Sequence, residues 1–301
     1  MPSGKDMFTG IHAVLYAFFQ RDENIDPGAM TAQVEYCLNA GCDGITVLGL
    51  ATEVLKLTPS ERHRMVEIAG RAVSGRQPFS VTIAGNSVAE QIEMVRVAES
   101  NGADWLILQP AMVGSYGADV YLDMFERVAD ATSLPIAIQN APAYLGRALS
   151  AADIARLKNR CLTFQAVKSE DSALAVQGVI EAAGDDLTIL GGRGGLDMID
   201  LLQAGCSGFV LAPDIVPVAV QIMQHWKEGR KEDAANLHAE ALPAIAFVMQ
   251  SLEHLITYGK RIHAEALGIG TFDRAPFLAP SDFGLALARQ HSNRLQSLSR
   301  G

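Results

Sequence analysis

Short runs of apolar and β-branched residues recur along this chain roughly every 25 to 30 residues, each followed by a turn signal and an amphipathic stretch of helical period. This alternation predicts repeated strand–helix units and therefore a parallel α/β architecture. The predicted strands cover residues 10–18, 44–50, 79–85, 105–110, 135–140, 163–170, 187–192 and 208–213.

The strand cores indicate that both faces of the sheet are covered. The runs at 105–108 and 208–212 are apolar without alternation, as expected for buried parallel strands. One following helix has a clear start signal, with Thr58 as N-cap, Pro59 at the first helical position and Glu61 completing a capping box. Eight such units can close into a barrel or form an open doubly wound sheet, and periodicity alone does not separate the two.

The chain after Pro213 is longer than the last barrel helix requires, and its pattern is entirely helical. The predicted helices cover residues 216–228, 231–254, 255–267 and 281–297. No low-complexity linker precedes them. We therefore predict a barrel over residues 1–225 and a C-terminal helical extension over 226–301 that packs on it.

Composition narrows the function. The 301 residues carry a net charge of −10 without a basic stripe, which argues against a nucleic-acid partner. No apolar run is long enough for a membrane span and no signal pattern begins the chain, so we expect a cytoplasmic protein without a membrane partner. The four cysteines lack CxxC spacing and are predicted to be packed thiols, and the isolated histidines predict no metal site.

Lys168 is the only lysine that falls within a predicted strand. In a barrel, functional side chains cluster where the strands end. A lysine that points into a barrel loses hydration of its ammonium, which favours the neutral amine that attacks a carbonyl. Lys168 is therefore the candidate nucleophile for Schiff-base chemistry.

Glu170 lies two residues further along the same strand. Because strand side chains alternate, it shares the face of Lys168, about 7 Å closer to the strand end. A carboxylate there could move protons on the substrate carbons beside an imine. The alternative is a salt bridge with Lys168 that is purely structural.

Three segments resemble the dihydrodipicolinate synthase and N-acetylneuraminate lyase family. Gly49-Leu50-Ala51-Thr52-Glu53 stands where the family has Gly-Thr-Thr-Gly-Glu, Gln139-Asn140-Ala141-Pro142 where it has Tyr-Asn-x-Pro, and Val167-Lys168-Ser169-Glu170 where it has the lysine-bearing strand. The order and spacing match over roughly residues 8–290. The resemblance implies a (β/α)8 barrel, no cofactor beyond a covalent imine at Lys168, a 2-oxo acid substrate, and a homo-oligomer, either dimer or tetramer.

The departures from the family pattern bear on the reaction. The family's proton relay uses two hydroxyls of its own chain and a tyrosine from a neighbouring subunit, and these positions read Leu50, Gln139 and Met112 here. Tyr144 replaces the arginine of dihydrodipicolinate synthases. The variant motifs are closer to members that dehydrate 2-keto-3-deoxy sugar acids, in which case Glu170 takes over the acid and base work.

The resemblance also implies substrate-binding residues. Backbone N–H groups of Ala51 and Thr52 would face the substrate carboxylate, with Glu53 as an orienting residue, and a plain tight turn is the alternative. Gln139 is placed with the catalytic residues because its amide could hydrogen-bond substrate, and Asn140 is expected to contact substrate.

Two further segments complete the candidate site. Residues 191–195 form a glycine-rich loop after a strand, in which Gly192 and Arg193 could contact ligand, although simple turn chemistry explains glycines equally well. Residues 258–261, which include Lys260, are interpreted as a solvated helix junction, with a contact to substrate as the alternative.

These features predict a metal-free lyase, an aldolase or a dehydratase, that acts on pyruvate-like or 2-keto-3-deoxy sugar acids through Lys168. A dihydrodipicolinate synthase-type condensation of pyruvate with an aldehyde is an alternative. So is a barrel that binds a 2-oxo acid without turnover. A phosphosugar isomerase that uses the loop at 191–195 would leave Lys168 unexplained.

Overall fold

Eight parallel strands close into a barrel in chain order, with the last strand paired to the first, in a computed structural model that describes residues 6–184 and 187–300. The predicted (β/α)8 barrel is confirmed. The strands are β1 (Gly10–Val14), β2 (Gly44–Val47), β3 (Phe79–Ile83), β4 (Trp105–Leu108), β5 (Ile136–Asn140), β6 (Phe164–Ser169), β7 (Thr188–Gly191) and β8 (Gly208–Leu211).

Helices separate the strands and continue after the last one. They are α1 (Pro27–Asn39), α2 (Pro59–Val73), α3 (Val88–Ser100), α4 (Ala118–Ala129), α5 (Pro142–Leu145), α6 (Ala151–Arg160), α7 (Ala173–Ala183), α8 (Met198–Ala204), α9 (Val216–Lys227), α10 (Lys231–Val248), α11 (Leu252–His254), α12 (Lys260–Leu267) and α13 (Asp282–Leu298). A π-helical turn, Leu255–Gly259, joins α11 to α12.

Most predicted strands extend too far at their C-terminal ends. The first was expected over residues 10–18, but β1 ends at Val14, while residues 15–19 stay buried outside the strand. An apolar run in the sequence indicates that the residues are buried, but it does not show whether they form hydrogen bonds with a neighbouring strand. Here the buried residues 15–19 continue beneath the C-terminal helices after the strand has ended. The same limitation explains the other overlong strands.

Local signals placed the helix starts better than the helix ends. Thr58 caps α2 with the predicted capping box, and Pro59 is its first residue. The helix predicted over 231–254 instead ends at Val248, and a new helical stretch starts after Ser251, whose side chain accepts from the His254 N–H. A serine cap inside a continuous apolar pattern was the missed signal.

The amino end of the barrel is filled by side chains. The Phe8 and Trp105 rings meet edge to face with centroids 5.0 Å apart, and the Thr46 and Ser80 hydroxyls are 2.7 Å apart. Because this end is packed, space for a ligand remains at the carboxyl ends of the strands.

The four cysteines are buried and unbonded, as expected for packed thiols. In the described part of the chain, no helix combines the length and apolar character that a membrane crossing requires.

His263 of α12 is buried among the rings of Tyr16, Phe18 and Tyr36, where the C-terminal helices meet the barrel. Burial lowers the pKa of His263 to about 3. The unfolded chain, with an ordinary histidine pKa near 6.5, therefore binds one more proton than the folded protein between these two values. The contribution of the neutral His263 to the free energy of unfolding is therefore fully present above about pH 6.5 and decreases as the pH falls towards 3.

We accordingly expect His263→Leu to flatten the acid branch of the stability curve. Between about pH 6 and pH 4, the free energy of unfolding of both proteins should fall as the pH falls. The slope for the variant should be smaller than that of the parent by about 1.4 kcal/mol per pH unit. Urea titrations at several pH values measure this slope. Equal slopes for parent and variant would mean that His263 is protonated, or stays neutral, in both states.

Candidate active site

Lys168 lies near the carboxyl end of β6, opposite Gln139 of β5 in the parallel register. Only 4% of the residue is exposed. Its Nζ is 3.1 Å from Oε2 of Glu170, which follows the strand directly and is also buried. The strand thus holds an amine and a carboxylate together at the barrel mouth.

A small cavity of about 40 Å³ adjoins this pair, with room for a few water molecules. Its polar wall is Lys168, Glu170, Tyr144 and Arg193. Its apolar wall includes Leu50 and three residues from the C-terminal helical region: Met249, Leu252 and Leu255. The C-terminal helices therefore close the site from above.

Among the predicted site residues, Ala51, Lys168, Glu170 and Arg193 line this cavity. The others are not among its lining residues: Thr52, Glu53, Gln139, Asn140 and Gly192. Each of these has an identifiable contact elsewhere.

Gln139 orients Glu170 as one link in a chain of side-chain amides. Its Nε2 donates to Glu170 Oε2, while its Oε1 accepts from Gln109 Nε2 at 2.7 Å. Gln91 does not extend the side-chain contacts; its Nε2 donates to the Gln109 backbone carbonyl at 2.9 Å. Because the Gln139 amide and the Lys168 amine both donate to Oε2, this oxygen is held as an acceptor. Gln109 was missed from the sequence, although a polar residue directly after a strand was a usable signal.

The other carboxylate oxygen, Oε1, lies against the backbone of Gly192. A Cβ atom on Gly192 would come within 2.8 Å of Oε1 and 2.6 Å of Glu170 Cγ. Glycine at this position therefore makes room for the carboxylate, which accounts for it without a ligand contact.

Two further glycines of the loop are also explained by packing. A Cβ on Gly191 would meet the Phe209 ring at 2.4 Å, and one on Gly194 would meet the Met249 sulfur at 2.7 Å. The helix that follows the loop, α8, is short. The glycine-rich pattern therefore does not require a phosphate, which removes the main support for an isomerase.

Arg193 and Tyr144 stand next to each other at the cavity wall. The guanidinium donates to Asp197 Oδ2 at 2.5 Å and to the Asp171 carbonyl at 3.3 Å. Burial, reinforced by the charge of Glu170, raises the pKa of Tyr144, and a hydrogen bond with Arg193 opposes that shift. The phenol is therefore protonated at neutral pH and can donate to a ligand.

The segment after β2 forms a 3-10 helix, Leu50–Thr52, at the mouth. The Thr52 hydroxyl donates to the Leu15 carbonyl at 2.6 Å, so its side chain holds the loop against the chain after β1. Glu53 follows with φ of 57°, in the left-handed region, and bonds to Lys56 and Lys260. Its carboxylate is thus occupied by lysines.

Asn140 secures a different loop. Its amide accepts from the Leu149 N–H at 2.9 Å and donates to the Leu149 carbonyl at 3.1 Å. Both ends of this amide serve the backbone, so the side chain braces the segment after β5.

The interpretation of residues 258–261 as a solvated junction was wrong. Tyr258 is 5% exposed, and Lys260 is fully buried. The charged residues in this segment predicted exposure to solvent. Lys260 instead pairs with the Glu53 carboxylate, a contact that no local sequence pattern reveals.

Comparison with known proteins agrees with this geometry. The sequence pattern of the dihydrodipicolinate synthetase family matches residues 7–282. The 4-hydroxy-tetrahydrodipicolinate synthase of Methanopyrus kandleri is 28% identical over 235 residues, covering 77% of this chain and 78% of that protein. The "Probable 2-dehydro-3-deoxy-D-pentonate aldolase YjhH" of Escherichia coli K12 is 23% identical over 282 residues, covering 91% and 93%.

A solved structure is also similar along nearly the whole chain. YagE, a prophage protein of the dihydrodipicolinic acid synthase family from Escherichia coli K12, was crystallised in complex with pyruvate. It superposes with a TM-score of 0.86 and 25% identity, over 97% of this chain and 99% of that one. These matches confirm the resemblance predicted from the three motifs.

Proposed function

Because this chain belongs to the dihydrodipicolinate synthetase family, we propose that it is a Schiff-base-forming lyase of 2-oxo acids with Lys168 as its amine. The observation that carries this proposal is the buried pair at the barrel mouth, with Lys168 Nζ 3.1 Å from a Glu170 oxygen. Synthases and aldolases both occur among the named relatives, and carbon–carbon or carbon–oxygen lyase chemistry is consistent with them.

In the first step, the neutral amine of Lys168 attacks the C2 carbonyl carbon of the substrate. The proton that the Lys168 ammonium gives up before attack returns, through water in the cavity, to the carbinolamine oxygen. That oxygen leaves as water, and the protonated imine that remains withdraws electrons from C3. The lysine supplies the electrophile covalently, so the proposal requires no dissociable cofactor.

In the second step, the Glu170 carboxylate acts as the base. If it takes a proton from C3, the resulting enamine expels the C4 hydroxyl, and the protonated carboxyl returns its proton so that water leaves. If it takes the proton of the C4 hydroxyl, the C3–C4 bond breaks and releases an aldehyde. One carboxylate can serve either route, and the fixed donors on Oε2 support Oε1 as the oxygen that moves the proton.

The substrate class follows from the polar groups around the cavity. The backbone N–H of Ala51, which lines the cavity, is proposed to bind the substrate carboxylate. The Thr52 N–H, which we also expected to bind it, donates to the Gly49 carbonyl at 3.0 Å instead. Tyr144 and Arg193 offer hydrogen-bond donors for the hydroxyls further along the carbon chain of the substrate. This arrangement favours a 2-keto-3-deoxy sugar acid, and we propose dehydration as its outcome.

Condensation of pyruvate with an aldehyde, the reaction type of the synthases, is the second candidate because several relatives carry that name. Leu50 and Met112 offer no hydroxyl for a relay, and Tyr144 stands in place of an arginine. These substitutions argue for weak synthase activity.

Borohydride reduction in the presence of a panel of 2-oxo acids tests the proposal. We expect each accepted acid to add its reduced mass to the peptide that carries Lys168, and 2-keto-3-deoxy sugar acids to be turned over with loss of water. Mass spectrometry maps the adduct, and NMR of the products separates dehydration from cleavage.

The same experiment can refute each part. An adduct on Lys56 or Lys260, or none with any acid, would remove the central role of Lys168. An adduct at Lys168 without turnover of any acid would favour a binding protein, and pyruvate as a product would favour an aldolase.

A further inference from the structure

Two buried charged side chains and one partly exposed one form a cluster next to the segment Leu50–Thr52. Glu53 Oε2 is 2.7 Å from Lys56 Nζ, and Glu53 Oε1 pairs with Lys260 Nζ. The Lys260 side chain is completely buried, and that of Glu53 is 1% exposed. We call Glu53, Lys56 and Lys260 the charge triad.

The triad joins two parts of the site that lie 207 residues apart in the chain. Glu53 directly follows the 3-10 helix Leu50–Thr52, which contributes Leu50 and Ala51 to the cavity wall. Lys260 directly follows the π-helical turn, whose first residue, Leu255, also lines the cavity. The ion pair therefore fixes the distance between the two walls.

Stability alone is a poor explanation for this pair. Removing two charges from water costs more than an isolated buried ion pair usually returns, and apolar residues of similar volume often serve stability equally well. Burial lowers the pKa of Lys260, while the charge of Glu53 opposes that shift. The Phe19 ring lies 5.5 Å from the ammonium, and the charges of Asp273 and Lys56 also act on it.

The backbone conformation of Glu53 indicates how the ion pair between Glu53 and Lys260 acts on the loop. Its φ of 57° is a strained value for a residue with a side chain, and such strain persists where neighbouring contacts hold it. Two lysines on one carboxylate supply that restraint. They hold the turn that follows Ala51, whose N–H faces the cavity side of the segment in the proposed function.

We infer that Lys260 is a positioning residue, which acts through Glu53 to keep segment 50–53 in the shape that binds the substrate carboxylate. The inference rests on the proposed function, since it assumes a 2-oxo acid bound at this segment. Its consequence is a selective effect on substrate binding, because the amine and the acid–base carboxylate lie on β6 and directly after it, away from the triad.

The test measures pyruvate binding in Lys260→Met. We expect the pyruvate concentration for half-maximal borohydride trapping at Lys168 to rise about 10- to 100-fold, since misplaced binding groups cost up to about 10²-fold. With a turned-over acid, KM should rise similarly and kcat should change much less. Lys260→Arg should recover most of the binding because it keeps a donor for Glu53.

An ion-pair network on the outer helices provides the control. Arg160 of α6 pairs with Asp123 at 2.5 Å and with Glu126, both in α4, and none of these contacts reaches the triad or the loop at 50–53. Arg160→Met should leave the half-saturating pyruvate concentration unchanged and lower the urea midpoint only slightly, because exposed ion pairs contribute little. If Lys260→Met is too unstable to purify, Glu53→Gln with Lys260→Met leaves no fully buried charge unpaired, because Lys56 is 20% exposed and can reach water. The double variant should fold while retaining the weakened binding.

The outcomes separate the two proposals. If the parent traps no 2-oxo acid at Lys168, the proposed function fails and this inference fails with it. If the parent traps pyruvate and Lys260→Met, or the double variant, traps it at the parental concentration, only the positioning role is overturned and the triad is structural.

Discussion

Replacing Lys168 by arginine is expected to abolish both borohydride trapping and turnover, with kcat falling by more than about 10⁴-fold. Arginine preserves a positive charge beside Glu170, but its guanidinium stays protonated and cannot form the imine. Without the imine, no electron sink exists for the bond that breaks. Steady-state assays and mass spectrometry after reduction measure the two losses separately.

A second variant, Lys168→Met, separates the effect of losing the amine from the effect of losing the positive charge at this position. It should be equally inactive and also less stable, because the buried Glu170 would lose its cationic partner and keep only Gln139 as a donor. If the arginine variant folds like the parent and still gains a reduced adduct, the nucleophile is a different lysine.

The second large effect concerns Glu170. Glu170→Gln should leave trapping of pyruvate at Lys168 nearly intact while kcat falls about 10²- to 10⁴-fold, the usual contribution of a general acid or base. A glutamine oxygen can still accept from Gln139 and Lys168, so the geometry around the amine is preserved. The loss should appear in kcat more than in KM.

A purely structural salt bridge predicts a different result for this variant. Stability and trapping would then fall together, because the Lys168 ammonium would lose its charged partner. A variant that folds, traps pyruvate and turns over at the parental rate would exclude both roles. Proton transfer would then pass to Tyr144 of the cavity wall or to a bound water, since Tyr116 is 53% exposed and is not among the residues that line the cavity.

Much of the architecture is readable from local pattern. Apolar runs at regular spacing predicted eight strands in the right places, and Thr58, Pro59 and Glu61 predicted the start of α2. The lysine-bearing strand was identified because a lone lysine in a buried strand conflicts with its surroundings. Such features depend on neighbours in the chain, which a single sequence displays.

The environment of Glu170 depended on barrel closure instead. Gln139 reaches it because β5 pairs with β6, and Gln109 reaches Gln139 because β4 pairs with β5. Asn140 was expected to contact substrate, but its amide holds the Leu149 backbone. Residue identity alone does not separate these two uses of an amide.

Lys260 and Glu53 mark the same limit most clearly. In the sequence, Lys260 is one charge in a helical pattern, and such charges usually face solvent. In the fold, the C-terminal helices cover the barrel mouth and bring Lys260 to a carboxylate 207 residues away. Periodicity in the sequence shows which face of a helix is apolar. The partner of a buried charge is decided by the packing of distant segments, because a charge that loses its water needs an opposite charge within reach in the folded protein.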